Sequence, residues 1–329
     1  MEKLDFNTST FKSWDDIDIK VDKEILKNID IDVVGKLKTV NAILVLKENY
    51  IVFEKYYNDH NKNDLHPVMS ITKSIISILI GIAIDKGYIK DVNEKILDFF
   101  PEYKSRDIDC LIRRVTIKDL LTMTSGILWQ NRGMKEPLLD RMKRSKDWTE
   151  FILTLPIEPN LVDRFLYNSS SSHLLSIIIS KSTNMSAKEF SKKYLFSHLG
   201  IEDIKWETDP QGNSIGGYGL SLKPRDMAKI GQLYLNNGIW NNDNVLSGNW
   251  IKTSTTPYSN GNDIGKYGYH WWISKDSRRH IYFALGYGGQ YIINVPQKNT
   301  SVVIVSHANR GQWNSPKYLL DKYILPSIK

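Results

Sequence analysis

The sequence predicts an α+β fold in which one antiparallel sheet, built from both ends of the chain, is flanked by helices and carries an inserted helical lobe. Strand-like runs lie at 40–57 and again from residue 268 onward, whereas helical patterns fill the middle of the chain. A further observation is the segment 66–87, which reads HPVMSITKSIISILIGIAIDKG. Its apolar stretch has the composition of a helix buried on every side.

The N-terminal third begins with a polar lead and a helix near Lys23–Asp30. Two strands, Val40–Leu46 and Tyr50–Tyr57, are separated by three residues and predict a hairpin. The apolar helix follows, with Pro67 just ahead of its start and Asp85–Gly87 as its stop. Its apolar run is shorter than the roughly 20 residues that cross a bilayer, so no membrane segment is expected.

The middle of the chain predicts several shorter helices, with an irregular stretch at 127–165. Thr116 is expected to cap one of them and Gly126 to stop it, and Pro224 marks the start of another. The predicted helices are Val92–Phe99, Thr116–Thr124, Asp147–Leu155, His173–Lys181, Ala187–Leu199, Pro224–Leu235 and Ser247–Ser254.

The C-terminal part returns to strands and closes with a helix. The predicted elements are Gly268–Ser274, Arg279–Leu285, Gln290–Val295 and Ser301–Ser306, followed by a helix at Pro316–Leu325. No linker interrupts the chain, so residues 1–329 are expected to form a single catalytic domain. We expect an α/β lobe from 20–68 and 256–329, a helical lobe from 69–255, and a cleft between them.

Composition narrows the classes of function. The chain is 41% hydrophobic and 25% charged, and its net charge of +7 comes from basic and acidic residues interleaved along the chain, so nucleic-acid binding is not expected. A single cysteine, Cys110, excludes a disulfide framework and a cysteine metal site. The N-terminus lacks an apolar signal core, which predicts a cytoplasmic protein if residue 1 is the native start.

Ser70 and Lys73 are the first candidate catalytic pair. The two residues are three positions apart on the apolar helix, so their side chains project from the same face. Burial and the helix dipole push the lysine towards its neutral form, and a neutral lysine beside a serine makes that serine a nucleophile. Shifting a lysine pKa from ~10.4 to ~7 costs roughly 4–5 kcal/mol, which is rarely carried without a use. The alternative is that Lys73 extends to solvent and Ser70 only caps the helix.

Two further patterns are candidates for the same cleft. Tyr167 and Ser169 stand in a loop before an apolar helix, and a phenol near a lysine ammonium is expected to have a lowered pKa and to relay protons. The segment 284–291, ALGYGGQY, joins two strands, and its paired glycines are typical of close approach to a ligand. A strand edge there would offer an N–H that, with the N–H of Ser70, forms an oxyanion hole. Taken alone, each pattern favours a structural explanation, a core tyrosine before a serine-rich helix start in the first case and a plain hairpin turn in the second.

A rival nucleophile is Ser214, which lies in a G-x-S-x-G match at 212–216. That motif requires a hydrophobic strand before it and a helix after it, and neither is present here. Seven scattered histidines show no triad spacing, and neither a phosphate-binding loop nor a metalloprotease motif occurs.

In that order, Ser70 with Lys73, Tyr167 with Ser169, and Tyr287-Gly288-Gly289 resemble the motifs of the serine β-lactamase and penicillin-binding protein superfamily, most closely its class C β-lactamase-related hydrolases. The likeness extends from about residue 40 to 310. It implies the β-lactamase/DD-peptidase-like version of the fold predicted above. Supporting stretches are Ile117–Gly126, Gly219–Ser221, Pro224–Ala228, Tyr267–Tyr269 and Gly286–Gln290.

The resemblance implies a role for each residue. Ser70 would be acylated, Lys73 would be its base, Tyr167 would shuttle protons, and the N–H of Gln290 would join that of Ser70 in the oxyanion hole. Ser169 stands where the lactamases carry asparagine, and Tyr287-Gly288-Gly289 stands where they carry Lys-Thr-Gly. Both changes argue against efficient β-lactam hydrolysis, because a cation and an amide that hold the β-lactam are missing. Aromatic residues that would line the cleft or belong to the core are Trp129, Tyr218, Trp271 and Trp272.

The function predicted from the sequence is therefore a cofactor-free and metal-free serine hydrolase that acts on a small ester, amide or D-amino-acid peptide. The third motif is closest to relatives of 6-aminohexanoate-dimer hydrolase. Two alternatives stay open: a penicillin-binding-type sensor or peptide-binding protein with negligible turnover, and a weak β-lactamase. The sequence does not predict the physiological substrate or the oligomeric state.

Overall fold

The computed structural model describes residues 20–104, 106, 108–129, 136–308 and 317–328. Its α-helices are α1 (Lys23–Lys27), α2 (Ile29–Gly35), α3 (Ile71–Asp85), α4 (Ile117–Thr122), α5 (Pro137–Arg144), α6 (Trp148–Leu153), α7 (Ser169–Thr183), α8 (Ala187–Ser191), α9 (Pro224–Leu235), α10 (Gly248–Ser254) and α11 (Leu325–Ser327). Short 3₁₀ turns cover Ile96–Asp98, Pro101–Tyr103, Cys110–Arg114 and Pro296–Lys298, and π-helical turns cover Lys192–Phe196 and Leu320–Ile324.

The strands gather mainly into one antiparallel sheet that joins both ends of the chain. They are β1 (Val40–Lys47), β2 (Tyr50–Tyr56), β3 (His66–Pro67), β4 (Ser125–Ile127), β5 (Ile157–Val162), β6 (Lys205–Trp206), β7 (Leu220–Leu222), β8 (Ile239–Trp240), β9 (Asp243–Asn244), β10 (Ser259–Asn262), β11 (Gly265–Tyr267), β12 (Trp272–Ile273), β13 (Tyr282–Gly286), β14 (Gln290–Val295) and β15 (Thr300–Ser306). The main sheet has the order β10-β11-β12-β13-β14-β15-β1-β2, with Val45 of β1 opposite Val302 of β15. The predicted α+β class is confirmed.

Helices cover both faces of this sheet, which explains why β1 is buried along its whole length. Successive residues of a strand point to opposite faces. Ala42 and Leu44 accordingly pack towards α3, whereas Ile43 and Val45 pack towards the terminal helices that contribute Leu26. A strand covered on both faces reads as a continuous apolar run, as Val40–Leu46 does.

Helix α3 runs through the centre of one of these cores. Its residues from Ile71 to Ala83 are all buried, including the polar ones. Trp250 packs so closely on Gly81 that a Cβ there would collide with the indole ring. Helix α7 packs along α3, and the start of α3 faces the start of α7 through Lys73. Among the described helices none is both long and apolar enough to cross a bilayer.

Several predicted boundaries shift for identifiable reasons. Helix α4 has the expected Thr116 capping box but ends at Thr122, because Met123 adopts a left-handed conformation; Gly126 lies instead in β4. The stretch 127–165, predicted as irregular apart from one helix, also contains α5 and β5. The predicted strand at Gly268–Ser274 shortens to β12, since His270 has φ +59°. Of the predicted closing helix, Pro316 lies outside the described residues.

The division into an α/β lobe from 20–68 and 256–329 and a helical lobe from 69–255 remains a prediction. The main sheet draws its strands from 40–56 and 259–306, which is compatible with it. The pairing of β3 with β7 ties the segment before α3 to the segment before α9, so the start of α3 is anchored from both sides of the proposed boundary.

Candidate active site

Ser70 occupies the N-cap position of α3. Its side chain makes no capping hydrogen bond to the helix backbone, so a mere capping role does not describe it. The residue before it, Met69, has φ +50°, a conformation that costs free energy for a residue with a side chain. The segment is held from outside, because Val68 N donates to Leu220 O at 2.9 Å and Pro67 pairs with Ser221. Ser70 is partly exposed and therefore accessible.

Lys73 lies one turn into the helix and is 1% exposed, which excludes the alternative that it extends to solvent. Its Nζ donates to Gly217 O at 2.7 Å, to Ser70 Oγ at 3.1 Å and to Ser169 Oγ at 3.1 Å. These partners are neutral, and they hold the amine facing the Ser70 hydroxyl. Burial lowers the pKa of Lys73 to about 8, and the charge of Glu136 opposes that change. A substantial fraction of Lys73 is thus an uncharged amine in weakly alkaline solution.

The Gly217 carbonyl that accepts from Lys73 belongs to a loop locked against α7. A Cβ at Gly216 would collide with the backbone of Ser172, so only glycine permits this approach. Gly216 N donates to His173 Nδ1 at 3.4 Å, and the opposite ring nitrogen lies 3.0 Å from Asp209 Oδ2. Because Nδ1 accepts, Nε2 carries the proton and donates to the carboxylate. This buried pair fixes the loop, and the loop fixes the lysine.

Tyr167 reaches the site from the segment before α7. Its hydroxyl is hydrogen-bonded to Ser70, and its ring centroid lies 4.9 Å from Lys73 Nζ. Trp272 stacks on the ring with centroids 5.8 Å apart. The sequence prediction of a lowered pKa is wrong: burial raises the pKa of Tyr167 above its usual value, and the hydrogen bond with Ser70 offsets this only in part. Tyr167 is therefore a neutral phenol at physiological pH.

Glu136 is the site residue that the sequence analysis missed. Ser169 donates twice to its carboxylate, from N to Oε2 at 2.9 Å and from Oγ to Oε1 at 3.1 Å. Trp129 Nε1 also donates to Oε2 at 2.7 Å. One hydroxyl, that of Ser169, therefore separates this carboxylate from the Lys73 amine. The usable sequence signal was Pro137, which favours the first position of a helix and places Glu136 just before it.

The turn Gly286–Gln290 approaches the nucleophile segment from the sheet. A Cβ at Gly286 would collide with the carbonyl oxygen of Val68, two residues before Ser70. Gly288 and Gly289 have φ +84° and +93°, which other residues rarely adopt. The Gln290 side chain is directed to β15, where its amide donates to Ser306 O. Tyr287 is 36% exposed.

Some of the other predicted aromatic residues contact the candidate active site, and others belong to the hydrophobic core. Trp129 is buried and binds Glu136, and Trp272 backs Tyr167, so both contact candidate site residues. Trp271 is a core residue, fully buried with its indole N–H donating to Tyr234 Oη at 2.9 Å. Tyr218 directly follows Gly217, and its hydroxyl has no hydrogen-bond partner among the described residues.

The rival nucleophile is occupied elsewhere. Ser214 is 1% exposed, and its Oγ accepts from the backbone N–H of Lys188 at 3.1 Å. The two fully buried histidines are likewise engaged: His173 binds Asp209, and His270 shares a 2.9 Å hydrogen bond with Ser172 Oγ. Burial lowers the pKa of His270 to about 3, so it stays uncharged.

Comparison with known proteins finds matches that cover most of the chain. Residues 39–322 match the protein family described as Beta-lactamase. The 6-aminohexanoate-dimer hydrolase of Paenarthrobacter ureafaciens is 23% identical over 290 residues, covering 81% of this chain and 72% of that protein. The class C beta lactamase of Rhodobacter sphaeroides has the same fold, with a TM-score of 0.66 at 15% identity over 92% of this chain and 100% of that one.

A further structural neighbour is the octameric penicillin-binding protein homologue of Pyrococcus abyssi. It superposes with a TM-score of 0.68 at 18% identity, covering 93% of this chain and 77% of that one. At these identities the structural matches show the fold alone. Together with the family match they confirm the resemblance that the motifs indicated.

Proposed function

The chain belongs to the beta-lactamase family, a family of hydrolases, and from that premise we propose that it is a serine hydrolase forming an acyl-enzyme on Ser70. One observation carries the proposal. The amine of Lys73 is buried, lies 3.1 Å from the Ser70 hydroxyl and has a pKa of about 8. A hydroxyl beside an uncharged amine, at a helix N-terminus, is an activated nucleophile.

In the proposed reaction, neutral Lys73 removes the Ser70 proton while Oγ attacks the carbonyl carbon of the substrate. The negative charge on the carbonyl oxygen would be stabilised by the N–H groups of Ser70 and Gln290. Tyr167, a neutral phenol hydrogen-bonded to Ser70, then passes its proton to the leaving amine or alcohol, and the proton that Lys73 took from Ser70 restores the phenol. Water attacks the acyl-enzyme with the same groups acting in reverse, and the acid leaves.

The charges around the site favour a small amide, ester or D-amino-acid peptide over a β-lactam. The third motif lacks the lysine that would hold a β-lactam carboxylate, and Glu136 adds a negative charge one hydroxyl away from Lys73. A β-lactam carboxylate would therefore lack the cation that the third motif otherwise supplies. The relative from Paenarthrobacter ureafaciens, named for hydrolysis of a small amide, is compatible with this class.

Intact-mass measurement after treatment with a fluorophosphonate tests the nucleophile. The wild-type chain should gain one adduct, and Ser70→Ala should gain none. Ser214→Ala is the matched control, because it removes a buried serine of a competing motif and should leave labelling unchanged. An adduct that persists in Ser70→Ala would exclude the proposal.

A panel of p-nitrophenyl esters, D-aminoacyl amides and the β-lactam nitrocefin tests the substrate class. We expect sustained turnover of esters or amides and little of nitrocefin. A product burst equal to the enzyme concentration, with no later turnover, would instead identify a sensor or peptide-binding protein. Nitrocefin as the best substrate would identify a β-lactamase and overturn the charge argument.

A further inference from the structure

A second cluster of reactive side chains lies in the loop between β2 and β3. His60, Asp64 and His66 each place one nitrogen or carboxylate oxygen within 4.8 Å of the others. The two imidazole rings face one another with centroids 4.9 Å apart and planes inclined at 58°. None of the three contributes to the hydrogen bonds around Ser70, Lys73 and Ser169 described above, so the cluster needs its own explanation.

We propose that His60, Asp64 and His66 form a binding site for one divalent transition-metal cation of the Zn²⁺ type. Two imidazoles and a carboxylate are a ligand set that Zn²⁺ uses in proteins, with the fourth position left to water or another ligand. The three residues stand four and then two positions apart in the sequence, and this proposal departs from the prediction of a metal-free protein.

The separations between the ligand atoms support this assignment. Tetrahedral bonds of 2.0–2.1 Å place neighbouring ligand atoms about 3.3 Å apart. His60 Nδ1 and Asp64 Oδ2 are already 3.1 Å apart. All ligand atoms of the cluster lie within 4.8 Å of one another, so a closure of at most about 1.5 Å, within the reach of side-chain rotation, completes the set.

His66 provides the independent observation that points to a ligand. It is 5% exposed, and its Nε2 is buried without a hydrogen-bond partner among the described residues. An unsatisfied buried nitrogen is unfavourable, and a bound cation would satisfy it. On the other side, His60 and Asp64 have side chains 34% exposed, which gives the ion a route from solvent.

Contacts with the surrounding chain hold two of the three residues, Asp64 and His66, in place. Asp64 is fixed because its Oδ2 also accepts from Asn61 N at 2.9 Å and its Oδ1 accepts from Asn61 Nδ2. His66 is fixed because β3 pairs it with Leu222. Such supporting hydrogen bonds orient metal ligands. A bound ion would tie the loop to the strand that leads, four residues later, into Ser70.

Metal binding needs one proton rearrangement. In the metal-free chain Nδ1 of His60 shares a hydrogen bond with Asp64 Oδ2. To bind the cation through Nδ1, His60 takes the tautomer with its proton on Nε2. The carboxylate and both imidazoles then donate lone pairs, and the site charge becomes +1.

The test uses the full chain without an affinity tag, stripped with chelator and titrated with Zn²⁺ by calorimetry and with Co²⁺ by visible absorption. We expect one equivalent per chain and a ligand-field band typical of tetrahedral Co²⁺. His60→Ala, at a partly exposed position that should fold, and Asp64→Asn should each weaken binding at least tenfold.

His198→Ala is the matched control, since His198 also faces a carboxylate, Asp243 at 3.4 Å, outside the cluster. It should leave affinity unchanged. Zn²⁺ should also raise the unfolding temperature of wild type and His198→Ala but not of His60→Ala. No saturable binding, or binding that survives in both His60→Ala and Asp64→Asn, would overturn the proposal.

Discussion

Lys73 and Lys229 are both buried lysines on core helices, and they differ in the residue that lies three positions before each of them. Each donates to a backbone carbonyl, Gly217 O at 2.7 Å and Gly200 O at 2.8 Å. Three residues earlier, Lys229 has the carboxylate of Asp226 at 3.2 Å, whereas Lys73 has the hydroxyl of Ser70 at 3.1 Å. The same helical spacing therefore serves an ion pair in one helix and an amine–hydroxyl pair in the other.

The difference shows what distinguishes a structural lysine from a reactive one. A carboxylate in contact compensates the buried charge of an ammonium. Lys73 has only neutral groups in hydrogen-bond contact, and its nearest carboxylate, Glu136, acts through Ser169. The charge of Glu136 offsets the burial of Lys73 only in part, so burial lowers the pKa of Lys73 to about 8. Lys73 can act as a base at Ser70 because no carboxylate of the described residues is in direct contact with its amine.

Removal of the Lys73 amine should mainly reduce catalysis, whereas removal of the Lys229 amine should mainly reduce stability. The largest effect on catalysis is expected for Lys73→Met. Loss of the base should lower kcat/KM by about 10²–10⁴-fold. Because methionine carries no buried charge, the free energy of unfolding should stay the same or rise. Steady-state kinetics and urea unfolding measure both, and retained activity in Lys73→Met would contradict the assigned base.

Lys229→Met should damage stability instead. It leaves Asp226 buried without its ammonium, and burial already raises the pKa of that carboxyl. We expect the free energy of unfolding to fall by about 3 kcal/mol, with kcat/KM of the folded protein unchanged. Urea unfolding followed by kinetics at low temperature checks this. If Lys229→Met lost as much activity as Lys73→Met, the assignment of a structural role to Lys229 and a catalytic role to Lys73 would be wrong.

Glu136→Gln should move the pH dependence in a defined direction. Only neutral Lys73 acts as a base, so activity in the wild type should fall as pH drops below about 8. The Glu136 charge raises the pKa of Lys73, so its removal should lower that pKa and shift the acidic limb of kcat/KM to lower pH.

The control for this shift is Glu150→Gln, whose carboxylate pairs with Arg106 on the surface and should leave the profile unchanged. An acidic limb that stays in place or moves to higher pH in Glu136→Gln would show that Glu136 does not act on the base.

Ser70→Asp would place a carboxylate three residues before Lys73, as Asp226 stands three residues before Lys229. It should abolish fluorophosphonate labelling and give Lys73 the carboxylate that Lys229 has. Since Asp also lies at a helix N-terminus, the free energy of unfolding should rise by about 1 kcal/mol relative to the uncharged isostere Ser70→Asn. Equal urea midpoints for the two variants would show that the introduced carboxylate forms no stabilising pair with Lys73.

The parts of the molecule that sequence reasoning predicted well depend on local spacing. Helix α9 begins and ends at the predicted residues, because Pro224 and Asn236–Gly238 mark its two ends. Ser70 and Lys73 face each other because residues three apart share a helix face. The sheet from both chain ends follows from apolar runs of strand length.

The parts that escaped prediction depend on contacts distant in sequence. Glu136 reaches Ser169 across 33 positions, and only the packing of α5 brings it there. The pKa of Tyr167 is raised because burial, to which the stacking of Trp272 contributes, outweighs the hydrogen bond with Ser70. His60 joins His66 through a loop whose turn at Asn61–Asp64 is fixed by side-chain hydrogen bonds.

The proposed role of Lys73 requires that its amine be largely uncharged in weakly alkaline solution. Titration of that amine measures its protonation state directly. With ¹³C-labelled lysine, the resonance that disappears in Lys73→Met identifies the residue, and its chemical shift is followed against pH. We predict a midpoint near 8, well below the 10.5 of an ordinary lysine. A midpoint at or above 10.5 would mean that Lys73 stays an ammonium and is not the base at Ser70.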